Sequence, residues 1–216
     1  MKLVIFDIGS TLVTGPSRGP ASRIAARLGL GDEQKRALHE ALMTVPFASA
    51  REVAASIGVA GADAAVAEVW AAQEHEAQPV EGAREALIRL AEEGSRLALI
   101  SNIWQPFLTS VERHLGELFE AVEPGLRLFS FREGCAKPSP VMFERALARA
   151  GVAAEDAVMI GDSYAEDIEP AAALGMETVW VLSRPDREPP AARGPGRTVA
   201  SIAELAGGVA LARPRG

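Results

Sequence analysis

"KLVIFDIGSTLV", residues 2–13, sets an unbroken apolar run against a single acidic residue, Asp7. The run LVIF shows no alternation of polar and apolar side chains, so a strand built from it is buried on both faces, as in a parallel sheet covered by helices. Three further stretches repeat the pattern: "RLALI" before Ser101, "AVMI" before Gly161-Asp162, and "ETVWVL" before Ser183. Each is rich in branched residues and stops at a polar or small one.

Helical patterns lie between these runs: Glu81 to Glu93 followed by Gly94, Pro140 to Ala150 followed by Gly151, and Glu166 to Leu174 followed by Gly175. Glycine just past a helix is the expected left-handed stop. Ser139-Pro140 fits a helix start, with the hydroxyl as cap and proline at the first helical position. Ser201 to Glu204 has the spacing of a capping box for a last helix. Strands alternating with helices in this order predict a doubly wound α/β sheet with right-handed crossovers, whose ligands sit at the carboxyl ends of the strands.

Residues 15–79 break the rhythm. "ASRIAARLGL", "DEQKRALHEALM", "SAREVAASIGV" and "ADAAVAEVWAAQEHEA" are Ala-rich and amphipathic, which predicts three or four short helices and no strand. This is a helical module inserted after the first strand. The stretch 184–197, "RPDREPPAARGPGR", is expected to be an exposed loop leading to a short strand around Arg197 to Val199.

With 216 residues, 48% hydrophobic and 24% charged, the chain is long enough for one main domain plus a small insert. A formal net charge of −7 argues against nucleic acid as a partner, because counterion release needs clustered Lys and Arg. The single cysteine, Cys135, cannot form an internal disulfide, and the first residues have the composition of a strand rather than a signal peptide. The expectation is a cytoplasmic protein. No apolar stretch approaches the roughly 20 residues that span a bilayer, so no membrane partner is expected, and no solenoid-type repeat is visible. Oligomeric state is left open.

Asp7, Thr11, Ser101, Asn102, Asp162 and Asp167 collect at the predicted carboxyl ends of the strands, and Lys137 precedes a helix. Three carboxylates at one sheet edge are costly unless a divalent cation holds them, and all-oxygen ligation suits Mg²⁺. A cation and Lys137 would let an anion approach Asp7, with the Ser101 hydroxyl and backbone N–H groups around its oxygens.

Taken in order, "FDIGSTLV", "LALISN", "CAKPSPVMFERAL" and "VMIGDSYAEDIEPAAALGM" resemble the four motifs of the haloacid dehalogenase-like hydrolase superfamily, across residues 2–182. The helical insert stands where such enzymes carry a first-type cap, so the resemblance implies a core domain of residues 1–14 and 80–216 and a cap of residues 15–79. It also implies a small phosphorylated substrate and an aspartyl intermediate on Asp7. Ser101 and Lys137 would bind the transferring group, with Thr11 and Asn102 beside them. Mg²⁺ would be held by Asp7, Asp162, Asp167 and the backbone carbonyl of Gly9.

In the phosphatases of this family the residue two after the nucleophile is an aspartate that protonates the leaving oxygen and then activates water. Here it is Gly9, followed by Ser10 in place of the usual glycine. A positioned acid or base contributes about 10²- to 10⁴-fold, a factor that matters most for alkyl phosphates with their basic leaving groups. Dehalogenating members carry tyrosine there and phosphonate-cleaving members alanine. Dehalogenation does not need the retained Asp162–Asp167 pattern, and phosphonate cleavage would need a Schiff-base lysine where the insert has only Lys35.

Three readings stay open: a Mg²⁺-dependent hydrolase, a catalytically silent member serving binding or regulation, and a phosphoacceptor receiver domain. The last is disfavoured because its acidic pair belongs on the first strand. Arg18, Arg23 and Arg51 are candidates for a second anionic group, though a solvated helix face is the better reading of any one of them. His39, His75 and His114 have no metal spacing and read as surface or helix-end residues. Cys135 reads as a small loop hydrophobe, and Trp104 as a packing residue more than a pocket wall.

Overall fold

The computed structural model describes residues 2–183 and 196–207. In chain order its elements are β1 (Leu3–Phe6), β2 (Val13–Thr14), α1 (Pro20–Leu28), α2 (Asp32–Thr44), α3 (Ala50–Ile57), α4 (Ala62–Gln73) and β3 (Gln78–Pro79). There follow α5 (Ala83–Glu92), β4 (Arg96–Ser101), α6 (Gln105–Glu120), β5 (Arg127–Phe129), α7 (Ser130–Glu133), α8 (Val141–Ala150) and β6 (Ala157–Gly161). The chain continues through α9 (Glu169–Ala173), β7 (Glu177–Val181), β8 (Arg197–Val199) and α10 (Ala203–Ala206).

Six strands form one parallel sheet in the order β5-β4-β1-β6-β7-β8. All four residues of β1 are buried, as expected of a central strand covered on both faces. Phe6 lies in register with Leu99 of β4 and with Ile160 of β6. That register brings Asp7, Ser101 and Asp162 to one sheet edge, where the strand order reverses beside β1.

The helices α1–α4 have a hydrophobic cluster of their own, built on Ile24, Leu42, Val53, Val66 and Val69. Trp104, at the start of α6, inserts into this cluster, and Phe107 packs against both it and the sheet's core. The indole N–H of Trp104 donates to Gln73 Oε1 at 2.9 Å, and the Gln73 amide donates to Glu76 Oε2, which also takes Arg23. Trp70 meets Trp104 edge to face.

Several details differ from the sequence reading. Gln78–Pro79, expected to be strand-free, pairs antiparallel with β2 and ties together the two connections to the helical unit. Two residues, one a proline, carry no period from which a strand could be read. The helix α6 and the strand β5 are additional elements. The run expected as a helix from Glu166 begins instead with a wide turn, Tyr164–Ile168, before α9. Pro170 has no N–H to give to the Glu166 carbonyl, and the Glu169 N–H bonds to Tyr164 instead. The Glu204 carboxylate accepts from the Ala200 N–H rather than from Ser201. The predicted exposed loop lies, over 184–195, outside the described residues, and the final strand at Arg197–Val199 is present.

Replacing Gln73 with Leu leaves the buried Trp104 N–H without its acceptor and should lower the unfolding free energy by about 1–3 kcal/mol. Adding Trp104→Phe should cost less than the two single changes summed, because the donor goes with the acceptor; urea unfolding of the four proteins measures this.

Candidate active site

A cavity of about 450 Å³ opens between the carboxyl edge of the sheet and the helical unit. Asp7, Gly9, Ser101, Asn102, Lys137, Asp162 and Asp167 all line it. Thr11 does not: it is fully buried, and its hydroxyl donates to Asp7 Oδ2 at 3.3 Å, from behind the carboxylate.

Lys137 stands at the centre. Its ammonium donates to Asp7 Oδ1 at 2.7 Å and to Asp167 Oδ1 at 2.5 Å, and its side chain is 1% exposed. It lies in the loop before α8, far in sequence from both partners, and Asn102 positions it. The Asn102 amide accepts from the Lys137 N–H at 2.8 Å and donates to the Lys137 carbonyl at 2.9 Å, so both backbone groups of that residue are clasped by one side chain. Asn102 thus spends its oxygen on the Lys137 main chain, and its remaining contact is with Glu166 Oε2 at 3.3 Å.

The wide turn after β6 delivers Asp167. Its Oδ2 accepts from the Ser163 N–H at 3.0 Å, and Ser163 Oγ in turn caps Glu166. Asp167 lies directly over Gly161: a Cβ there would come within 2.5 Å of its Cγ and 2.6 Å of its Cβ. The absence of a side chain at 161 is therefore what gives Asp167 its place. The backbone carbonyl of Asp162 accepts from the Trp180 indole at 2.9 Å.

One oxygen each from Asp7, Asp162 and Asp167 can be chosen so that all lie within 4.8 Å of one another, and all three residues are buried. Three buried carboxylates this close together repel one another, so the cluster favours either a proton or a divalent cation. Burial above all pushes the Asp7 carboxyl up, to about 7; Lys137 opposes this, and Asp167 and Asp162 reinforce it. Burial by itself would pull the Lys137 ammonium down, but Asp167 and Asp7 outweigh it and hold the group above its ordinary range.

At position 9 the wall is open. Outside its chain neighbours, no atom lies within 4 Å of where a Gly9 Cβ would sit. Ser10 adopts φ 61°, the left-handed region that glycine occupies at less cost.

A family model described as haloacid dehalogenase-like hydrolase matches residues 1–175. The chain belongs to that family. Among curated relatives, a glyceraldehyde 3-phosphate phosphatase from Pyrococcus abyssi is 39% identical over 106 residues, 47% of this chain and 41% of the relative. A ribulose-1,5-bisphosphate 5-phosphatase from Halopiger xanaduensis is 38% identical over 110 residues, 51% of this chain and 45% of the relative. The matches thus span less than half the length of these relatives. The crystal structure of a 2-haloacid dehalogenase from Pseudomonas syringae is similar in fold, with a TM-score of 0.66 at 25% identity over 95% of this chain and 96% of that one. That of a HAD phosphatase from Thermococcus onnurineus gives 0.63 at 20% identity over 95% and 96%.

The remaining candidates divide. Trp104 is packed in the helical unit's cluster and also lines the cavity. His39, read from sequence as a surface or helix-end residue, is exposed on α2 and lines the cavity too. Nothing in its spacing signalled this, because only the packing of α2 over the sheet edge brings it there. His75 and His114 lie on the surface. Arg18, Arg23 and Arg51 are absent from the cavity wall, and Arg23 is paired with Glu76. Cys135 is half-buried and packs against the sheet's core. Among the described residues, no helix is long and apolar enough to cross a membrane.

Gly161→Ala forces Asp167 out of its place and should weaken divalent-cation binding at least about tenfold, as measured by titration calorimetry with Mg²⁺ or Mn²⁺. In metal-free protein the raised Asp7 contributes stability that is complete below about pH 4 and lost as pH rises through about 7. Lys137, raised from a higher starting value, contributes unchanged across that window. Asp7→Asn should therefore lose less stability than wild type between pH 5 and pH 8, read from urea unfolding in EDTA.

Proposed function

We propose that this protein is a Mg²⁺-dependent hydrolase of small phosphorylated metabolites, working through an aspartyl-phosphate on Asp7. The observation that carries the reading is the buried Lys137 ammonium shared between Asp7 and Asp167, with Asp162 beside them in a cavity open to a small molecule. A cavity of about 450 Å³ suits such a ligand. The two curated relatives, a glyceraldehyde 3-phosphate phosphatase and a ribulose-1,5-bisphosphate 5-phosphatase, support the substrate class.

The donor set fits Mg²⁺: three buried carboxylates, oxygen atoms only, close enough to share one ion. Asp7, Asp162, Asp167 and the Gly9 carbonyl would hold it. When bound, the cation supplies charge neutralisation for the carboxylates and the phosphoryl oxygens. Residues 15–79 serve as the cap and residues 1–14 and 80–216 as the core.

In this reading the Lys137 ammonium and the Ser101 hydroxyl bind the phosphoryl oxygens, and Lys137 opposes the burial that raises the Asp7 carboxyl, favouring its ionised form. Thr11 fixes the second Asp7 oxygen, so that Oδ1 and Oδ2 have distinct surroundings. Asp7 attacks phosphorus, the leaving oxygen departs with the bonding pair, and water later attacks the same phosphorus to release phosphate and restore Asp7. Asn102 keeps Lys137 in position and acts as a positioning residue.

Gly9 alone favours a second reading, displacement at a centre whose leaving group needs no proton. The retention of Asp162 and Asp167 in a buried cluster argues against it.

The test is hydrolysis of alkyl, aryl and acyl phosphates with Mg²⁺ by wild type, Asp7→Asn and Gly9→Asp. Turnover should depend on Asp7 and be fastest with good leaving groups. Gly9→Asp should raise alkyl phosphate turnover by about 10-fold or more, since the open wall accepts a side chain there. Mg²⁺ binding without turnover of any substrate would overturn the hydrolase reading in favour of a silent binding protein.

A further inference from the structure

We propose that His39 on α2 is the catalytic proton carrier that serves the leaving oxygen in place of the side chain missing at position 9. This rests on the hydrolase reading above.

The titratable residues on the cavity wall are Asp7, His39, Lys137, Asp162, Glu166 and Asp167. Asp7, Asp162 and Asp167 form the carboxylate cluster, and Lys137 is buried between two of them. Glu166 lies on the same turn as Asp167 and is held by Asn102 at 3.3 Å, on the sheet side of the cavity. His39 is the one contributed by the helical unit, from the opposite wall. A substrate whose phosphoryl group meets Asp7 and Lys137 has a wall of buried sheet-edge side chains behind it, so the rest of the molecule extends toward α1 and α2. Its leaving oxygen lies on that side. An imidazole both lends and takes a proton near neutrality, as the two half-reactions require.

A second feature fits the assignment. His39 and Gly19 are shared with an adjoining cavity of about 250 Å³, also lined by Ala21, Ser22, Lys35 and Arg36. His39 therefore stands at the border of the two cavities, on the side of α1 and α2. Outside its chain neighbours, no atom lies within 4 Å of a Cβ at Gly9, so the sheet side offers no side chain there to compete with a donor from α2.

In the first step an Asp7 oxygen forms a bond to phosphorus and the bond from phosphorus to the leaving oxygen breaks. That oxygen keeps the electron pair and takes a proton from the His39 imidazolium. Water then enters where the alcohol stood; the neutral imidazole accepts its proton as its oxygen bonds to phosphorus and the Asp7–phosphorus bond breaks. Inorganic phosphate, the Asp7 carboxylate and the imidazolium result, and the atoms and charges balance.

The test compares kcat/KM, which reports events up to departure of the leaving group, for an alkyl, an aryl and an acyl phosphate with Mg²⁺. The proteins are wild type, His39→Gln, Gly9→Asp and the double variant. His39→Gln should lower the alkyl value by about 10²-fold or more and the acyl value by less than about tenfold. In the double variant the carboxylate at 9 should restore the alkyl value to within about tenfold of Gly9→Asp alone. An equal loss on all three phosphates, no loss, or failure of Gly9→Asp to rescue would overturn the role of His39 while leaving an Asp7-dependent hydrolase intact. Absence of Asp7-dependent turnover in wild type would overturn the hydrolase reading itself, and the role of His39 with it.

Discussion

The Lys137 ammonium, held between Asp7 and Asp167 with almost no exposure to water, is the contact on which the rest of the site depends. Buried ion pairs tolerate the loss of a partner badly, because the remaining charge keeps its desolvation cost without its compensation. Here the three participants come from the end of β1, the loop before α8 and the turn after β6, so the contact forms only when the sheet is assembled around β1. Asn102, from the end of β4, completes the arrangement by clasping the main chain of Lys137. Asp162 adds a third buried carboxylate beside Asp7 and Asp167. Mutually repelling buried carboxylates are poor for the stability of the empty protein and suited to taking up a cation.

A fixed sheet edge faces a separately packed helical unit. The sheet edge carries the groups whose relative positions are set by strand register to within ordinary backbone precision. Trp104, just ahead of α6, and Phe107 on α6 pack against the helical unit's cluster, and so does Ala136. The consequence at position 9 is direct. The usual proton-transfer side chain would rise from the sheet edge itself, whereas here that wall is bare and the opposite wall carries His39. Moving the proton carrier across the cavity would make catalysis depend on how the helical unit sits over the sheet.

How much of this was legible in the sequence differs residue by residue. Asp7, Ser101, Asp162 and Asp167 announce themselves because each follows an unbroken apolar run or a Gly-Asp turn, and apolar runs of that length are strands with a defined end. The first three helices of the insert, α1–α3, are legible from their amphipathic period, and α4 as an Ala-rich run with almost none. The pairing of β2 with β3 is not, because two-residue strands have no period, and neither is the wide turn ahead of α9, which follows from Pro170 and from the packing of Asp167 on Gly161. The hydrogen bonds of Thr11 to Asp7 and of Asn102 to the Lys137 main chain could not be read from sequence, because side-chain direction depends on neighbours distant in the chain.

The sequence by itself determined the buried parallel strands, the inserted helices, the family and the set of charged residues at the strand ends, because these are properties of local pattern and order along the chain. Only the tertiary structure decided that Lys137 joins Asp7 to Asp167, that Gly161 is bare to admit Asp167, that no neighbour fills the space at Gly9, and that His39 faces the site. Each of these is a contact between elements widely separated in sequence. Such contacts are set by strand order and by how the helices pack over the sheet, and no local period encodes either.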